Sequence, residues 1–153
     1  MTATKVSATS RSSTNQPGRN FLDTSVLLYA YDSSDAKKRE TAQKLLRRAV
    51  AGELVISTQV LAEFTAALLH KIVPPVIGKE LASLLDALGP IPLIAHDGDM
   101  IHRAAEATYN YGMPFYDGLI VAAAERAGCA ILWSEDLIMW QEYFGVQIRN
   151  PFV

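Results

Sequence analysis

The chain has 153 residues, 50% of them hydrophobic and 20% charged, with a formal net charge of −2. That is room for one domain with a sizeable core, and too near neutrality for a tight, non-specific nucleic-acid binder. Cys129 is the only cysteine, so an intrachain disulfide is excluded and a reducing compartment fits.

Residues 1–19 are rich in Ser and Thr without an apolar cluster, which predicts a disordered leader; residues 20–153 are expected to carry the fold. The leader has no apolar segment of the secretory kind. No apolar run along the chain is long enough to span a bilayer. A cytoplasmic protein without a membrane partner is the expectation.

Order begins with "NFL", a short strand closed by Asp23. Thr24 or Ser25 then caps a helix to about Tyr31. In "SSDAKKRETAQKLLRRAVAG", Ser34 or Asp35 caps a second helix that stops at Gly52, with Ala42, Leu45, Leu46 and Ala49 at helical spacing. "ELVIS" is a buried strand. "TQVLAEFTAALLHKI" is a helix with Val60, Leu61, Phe64, Ala67 and Leu68 inward, ended by Pro74 and Pro75. "GKELASLLDALG" is a further helix and "IPLIA" a strand. Asp97 caps "GDMIHRAAEATYNYG", which Gly112 terminates. "FYDGLIVAAAERAG" is apolar nearly all round, the mark of a buried helix. "CAILWS" is a strand, "EDLIMWQEYF" a loop and short helix, and "VQIRN" the last strand. Strands alternating with helices imply an α/β/α sandwich on a mostly parallel sheet.

In such sheets ligands bind beyond the carboxyl ends of the strands. Asp23, after "NFL", and Asp136, after "AILW", fall there. Glu63 lies one turn into its helix between the apolar Val60 and Ala67. Asp117 opens the most apolar helix and shares a face with Ile120, Val121 and Ala124. Asp35, Asp97 and Asp99 read more simply, as helix caps or first-turn acids facing the dipole. Four acids in apolar settings are costly unless compensated. No Lys or Arg neighbours any of them in the chain except Arg126, nine residues beyond Asp117. A divalent cation solves the problem without basic side chains. An all-oxygen donor set favours Mg²⁺ or Mn²⁺ over zinc, and His70, His96 and His102 are scattered. Carboxylates around such an ion point to phosphate chemistry, because the ion lowers the pKa of water and stabilises charge on the leaving oxygen. No Gly-rich phosphate loop, cysteine nucleophile or Ser–His–Asp pattern competes.

Read together, "FLDTSVLLYAYD", "STQVLAEF", "PFYDGLIVAAAERAGCAILWSEDL" and "VQIRNPF" resemble the PIN-domain family, and within it the VapC-type ribonuclease toxins of prokaryotic toxin–antitoxin modules. The resemblance covers residues 20–153, and the block from Asp117 to Asp136 is its most specific part. It implies a compact α/β/α sandwich and a Mg²⁺- or Mn²⁺-dependent endoribonuclease with Asp23, Glu63, Asp117 and Asp136 as catalytic and metal-binding acids. It implies that Ser134 supports the final acid, with Thr24 in a similar role. It also implies an RNA substrate, a small cognate antitoxin and a homodimer. Two departures stand out. Gly118 occupies a position where the family often has Ala, which weakens the helix slightly. "SED" offers Glu135 beside Asp136; the motif places its acid two residues after the Ser, which favours Asp136, with Glu135 as a candidate to share the role.

For RNA contact, the helix "DAKKRETAQKLLRR" carries six of the 14 basic residues. Lys37, Lys44 and Arg48 form one stripe by helical spacing, which a solvated helix face explains as well. Tyr109, Tyr111, Trp133 and Trp140 are candidates for base stacking or, more ordinarily, for the core. Two other readings compete. A haloacid-dehalogenase-like phosphatase also opens with an Asp after a strand, but wants a second Asp where this chain has Ser25. A non-catalytic PIN-like binding module remains the alternative outside the enzymes.

Overall fold

The computed structural model describes residues 19–138 and 141–153. The expected leader, apart from Arg19, lies outside these residues, as do Met139 and Trp140.

Six strands form one sheet: β1 (Asn20–Leu22), β2 (Leu54–Ser57), β3 (Leu93–Ile94), β4 (Ile131–Trp133), β5 (Glu142–Tyr143) and β6 (Val146–Arg149). Their spatial order is β3-β2-β1-β4-β6-β5. Every pairing is parallel except β5 with β6. The central strands are short apolar runs buried at every residue, NFL in β1 and LVIS in β2, as expected where helices cover both faces of a parallel sheet. At the periphery β6 alternates buried and half-buried residues.

The helices are α1 (Thr24–Tyr29), α2 (Ala36–Val50), α3 (Thr58–His70), α4 (Gly78–Leu88), α5 (Gly98–Tyr111) and α6 (Phe115–Arg126). The starts of α2, α3 and α5 are set by side-chain caps: Asp35 accepts from the Lys37 and Lys38 amides, Ser57 from the Val60 amide and Asp97 from the Met100 amide. Each cap satisfies amides that the helix itself leaves unpaired. Gly112, in the left-handed region at φ 69°, terminates α5. In α6 every residue from Gly118 to Ala124 is buried, so this helix is the interior one that its composition predicts. Around it α1 packs on α2 and α3, and α5 packs on α6. The result is a three-layer α/β/α sandwich on a mostly parallel sheet.

Three local expectations change. The first helix is capped by Asp23 rather than by Thr24 or Ser25, and it ends at Tyr29, two residues early, with Ala30 as its C-cap. The segment read as a short helix before the last strand instead contains β5, because Phe144 and Gly145 both take left-handed conformations, at φ 51° and 79°. That two-residue turn folds Tyr143 back against Val146. Third, Gly118 matters for space rather than propensity. A methyl group on it would stand 2.9 Å from the Ala104 carbonyl oxygen and 3.1 Å from Cβ of Ala107, so the bare residue is what lets α6 lie against α5.

Candidate active site

The chain leaves β1 for β2 and β3 on one side, then returns to β4 on the other. A crevice opens where the direction reverses, beyond the carboxyl ends of β1 and β4. Asp23 sits at its base. The Asp23 amide donates to the Trp133 carbonyl at 3.0 Å, which carries the β1–β4 ladder one residue past the strand. The same residue is the N-cap of α1, so strand and helix fix its carboxyl group together. It is only 8% exposed. Oδ1 accepts from the Thr24 amide at 2.7 Å; Oδ2 accepts from Ser134 Oγ at 2.7 Å and Ser25 Oγ at 3.4 Å. Burial pushes the Asp23 carboxyl up to about 6; the Ser134 and Thr24 hydrogen bonds oppose that, and the charges of Asp136 and Glu63 add to it.

Glu63, in the second turn of α3, accepts from Gln59 Nε2 at 2.6 Å and from Thr24 Oγ1 at 3.3 Å. Asp117, in the first turn of α6, is half-buried, and its carboxyl is pushed up by burial and by the charges of Asp136 and Glu63. Asp136 is exposed, and its amide donates to Ser134 Oγ at 3.2 Å. Ser134 is fully buried. Its hydroxyl gives its proton to Asp23 and accepts from the turn that carries Asp136, so one side chain ties together two of the acids.

Asp23, Glu63, Asp117 and Asp136 all line one cavity of about 400 Å³. Among the described residues none of the four forms an ion pair. Nor, among those residues, are three or more Asp, Glu, His or Cys side chains gathered into a ready-made metal cage. The two facts are compatible, since carboxylates that raise one another's pKa repel, and lining a shared cavity is a looser condition than converging on one point. The donor set itself is all oxygen and uncompensated, which suits a hard cation.

Glu135 has different surroundings from Asp136. Its Oε1 accepts from Tyr29 OH at 2.9 Å and its Oε2 pairs with Lys38 Nζ at 2.6 Å, while its amide donates to Ser25 Oγ at 3.1 Å. Lys38 also lies over the Tyr29 ring, 4.8 Å from its centroid. None of Lys37, Lys44 and Arg48 lines the acidic cavity. Lys44 pairs with Glu40 and Arg48 with Glu53, both on exposed surface. Arg126 is turned to Asp97, at 2.6 Å. Of the aromatic candidates, Tyr111 packs edge-on to Tyr143 and Phe144, Trp133 is half-buried in β4 and Tyr109 is fully outward. Cys129 is buried, which pushes its thiol up to about 12 and leaves it inert.

Sequence reasoning missed Gln59, Lys38, Tyr29 and Ser25, and also His70 and Lys71, which join the cavity wall from the end of α3. Gln59 carried a readable signal, because it precedes Glu63 by one helical turn. Lys38 and Tyr29 meet Glu135 across about a hundred residues of chain, as the pairings above place them, and no local pattern announces such a contact.

Comparison with known proteins agrees with this architecture. No curated protein sequence matches the chain. Among solved structures it is similar to a toxin–antitoxin complex from Klebsiella pneumoniae, with TM-score 0.64 and 17% identity over 86% of this chain and 97% of that one. It is similar to VapC20 of Mycobacterium tuberculosis, described as a sarcin–ricin-loop-cleaving toxin, with TM-score 0.59 and 20% identity over 76% of this chain and 91% of that one. It is also similar to DNA-bound VapBC from Salmonella typhimurium, with TM-score 0.62 and 16% identity over 87% and 98% of the two chains. At such identities the shared property is the fold. The sequence itself matches the family model of the PIN domain over residues 21–141, a span that runs from β1 past β4 and takes in all four acids, and on that match the chain belongs to the PIN-domain family.

Proposed function

We propose that this protein is a divalent-metal-dependent endoribonuclease, acting as the toxin of a toxin–antitoxin module. One observation carries the reading: four carboxylates, unpaired among the described residues, line a single cavity at the switch point of the sheet. Asp23, Asp117 and Asp136 would hold the ion, Mg²⁺ or Mn²⁺, with Glu63 as the fourth acid of the site. Such an ion, when bound, stabilises charge on the phosphoryl group and lowers the pKa of water. The chain's own part is to orient. Ser134 and the Thr24 amide fix both oxygens of Asp23, and Gln59 and Thr24 fix those of Glu63, which aligns water with the scissile phosphate. Lys71 brings positive charge to the same wall, where the RNA backbone passes.

The RNA substrate is favoured by the membership in the PIN family and by the likeness to a toxin that cleaves the sarcin–ricin loop. A small antitoxin is one partner, in line with the toxin–antitoxin complex among the similar structures, and a second copy of the chain is the other. No helix among the described residues is long and apolar enough to cross a membrane, and the site of action is the cytoplasm. Ser25 hydrogen-bonds to Asp23 at the position where phosphatase chemistry needs a second acid, so the haloacid-dehalogenase reading gains no support.

The test is cleavage of single-stranded RNA with and without Mn²⁺. Activity is expected to vanish with chelator and to fall in Asp23→Asn by more than the roughly 10–100-fold that outer-shell changes cost. Cleavage that persists in the variant, or in chelator, overturns the assignment.

A further inference from the structure

Gln59 is buried, 9% exposed, in the first turn of α3. Its Nε2 donates twice: to Glu63 Oε1 at 2.6 Å, and to the Tyr116 carbonyl oxygen at 3.0 Å. Tyr116 belongs to the first turn of α6 and immediately precedes Asp117. One amide group therefore spans the gap between the helix that bears Glu63 and the helix that bears Asp117. Its orientation is fixed by chemistry, because both partners are acceptors and only the NH₂ end can face them.

The other end of the same amide is the informative one. Among the described residues, Gln59 Oε1 is buried with no hydrogen-bond partner. A side chain chosen for packing alone has no reason to carry an unsatisfied acceptor. Methionine would fill a similar volume without it, and buried polar atoms left unpaired are a cost that native folds seldom keep without a use. The use visible here is the pair of donated hydrogen bonds. Glu63 has a long, rotatable side chain, and loses conformational freedom when held in one geometry. Gln59 on one oxygen and Thr24 on the other hold it in advance.

We infer that Gln59 is a positioning residue, whose amide clamps the Glu63 carboxylate to the first turn of α6 and so presets the spacing of Glu63 and Asp117 across the acidic cavity. The inference rests on the metal-centre reading proposed above and names a residue outside its set of acids. Gln59 acts through Glu63, so its effect disappears when Glu63 can no longer serve as a ligand.

The experiment is Mn²⁺ titration of the full chain without RNA, followed by calorimetry, for wild type, Gln59→Met, Glu63→Gln and the double variant, with thermal melting as a check on folding. Gln59→Met is expected to weaken Mn²⁺ binding about tenfold, the lower end of what outer-shell partners contribute. In the Glu63→Gln background the same change is expected to shift affinity less than about twofold, since a double-mutant cycle isolates the coupling. Gln59→Ala, which keeps a strong helix former, should give the same pair of results if the methionine variant does not fold. Equal Mn²⁺ affinity in Gln59→Met and wild type overturns the inference alone, and so does an equal loss in both backgrounds. A wild type that binds no Mn²⁺ overturns the metal-centre reading and this inference with it.

Discussion

Glu135 and Asp136 are adjacent carboxylates with opposite surroundings. Both oxygens of Glu135 are engaged, one by the Tyr29 hydroxyl and one by the Lys38 ammonium, whereas Asp136 is exposed to the cavity that it lines. Two acids that look equivalent in "SED" thus differ in their contacts: Glu135 anchors the turn to α1 and α2, and the ligand role proposed above falls to Asp136, which lines the cavity. Glu135→Gln is expected to leave Mn²⁺ affinity within about twofold, and Asp136→Asn to lower it by more than the roughly 10–100-fold that the loss of a residue supporting a ligand costs. Calorimetric titration of the two variants checks this, and the reverse ranking would transfer the ligand role to Glu135. The four candidate acids were legible because a carboxylate among apolar residues at a strand end is conspicuous by its cost. Lys38 was not, because a basic residue on a basic helix carries no mark that sets it apart from Lys37 or Arg39.

At the scale of elements, the close approach of α5 and α6 depends on one missing methyl group. Overpacking a tight contact costs roughly 1–3 kcal/mol, while Ala in place of Gly within a helix returns about 1 kcal/mol. With the Ala104 carbonyl oxygen 2.9 Å from the added carbon, the steric cost prevails. Gly118→Ala is expected to lower stability by up to about 2 kcal/mol in urea unfolding, the net of those two effects, and since Asp117 is the preceding residue, to weaken Mn²⁺ binding as well. A variant more stable than the parent by about 1 kcal/mol would show that α5 yields without cost. All six helices and every strand but β5 were readable from caps, Gly stops and apolar spacing, with α1 two residues too long. The hairpin of β5 and β6 was not, because its turn places Phe144 in a left-handed conformation that sequence rules reserve for Gly, Asn and Asp. The close packing at Gly118 escaped for a related reason: propensity describes a helix alone, and the decisive neighbour belongs to another helix.

For the whole molecule, the acidic cavity sets how stability depends on pH. The Asp23 carboxyl is raised from 3.8 to about 6, burial being the largest cause, so the folded state holds this proton more tightly than the unfolded chain does. Its contribution is fully present below about pH 3.8 and is lost as pH rises through about 6, in all some 3 kcal/mol by neutrality at about 1.36 kcal/mol per pKa unit. Asp117 shifts in the same direction. In thermal melts with chelator, Asp23→Asn is expected to be more stable than wild type near pH 7.5, with the gap closing toward pH 4 as wild-type Asp23 takes up its proton; a gap that does not change with pH would show that the charge is relieved in some other way. The sheet carries a consequence of its own at its two margins. β3 and β5 are two residues long, so neither rim offers a run of main-chain groups for an incoming strand to extend. Among the described residues, then, addition of a partner's strand to either rim is disfavoured, and with it the rim-to-rim stacking of copies on which fibrils grow.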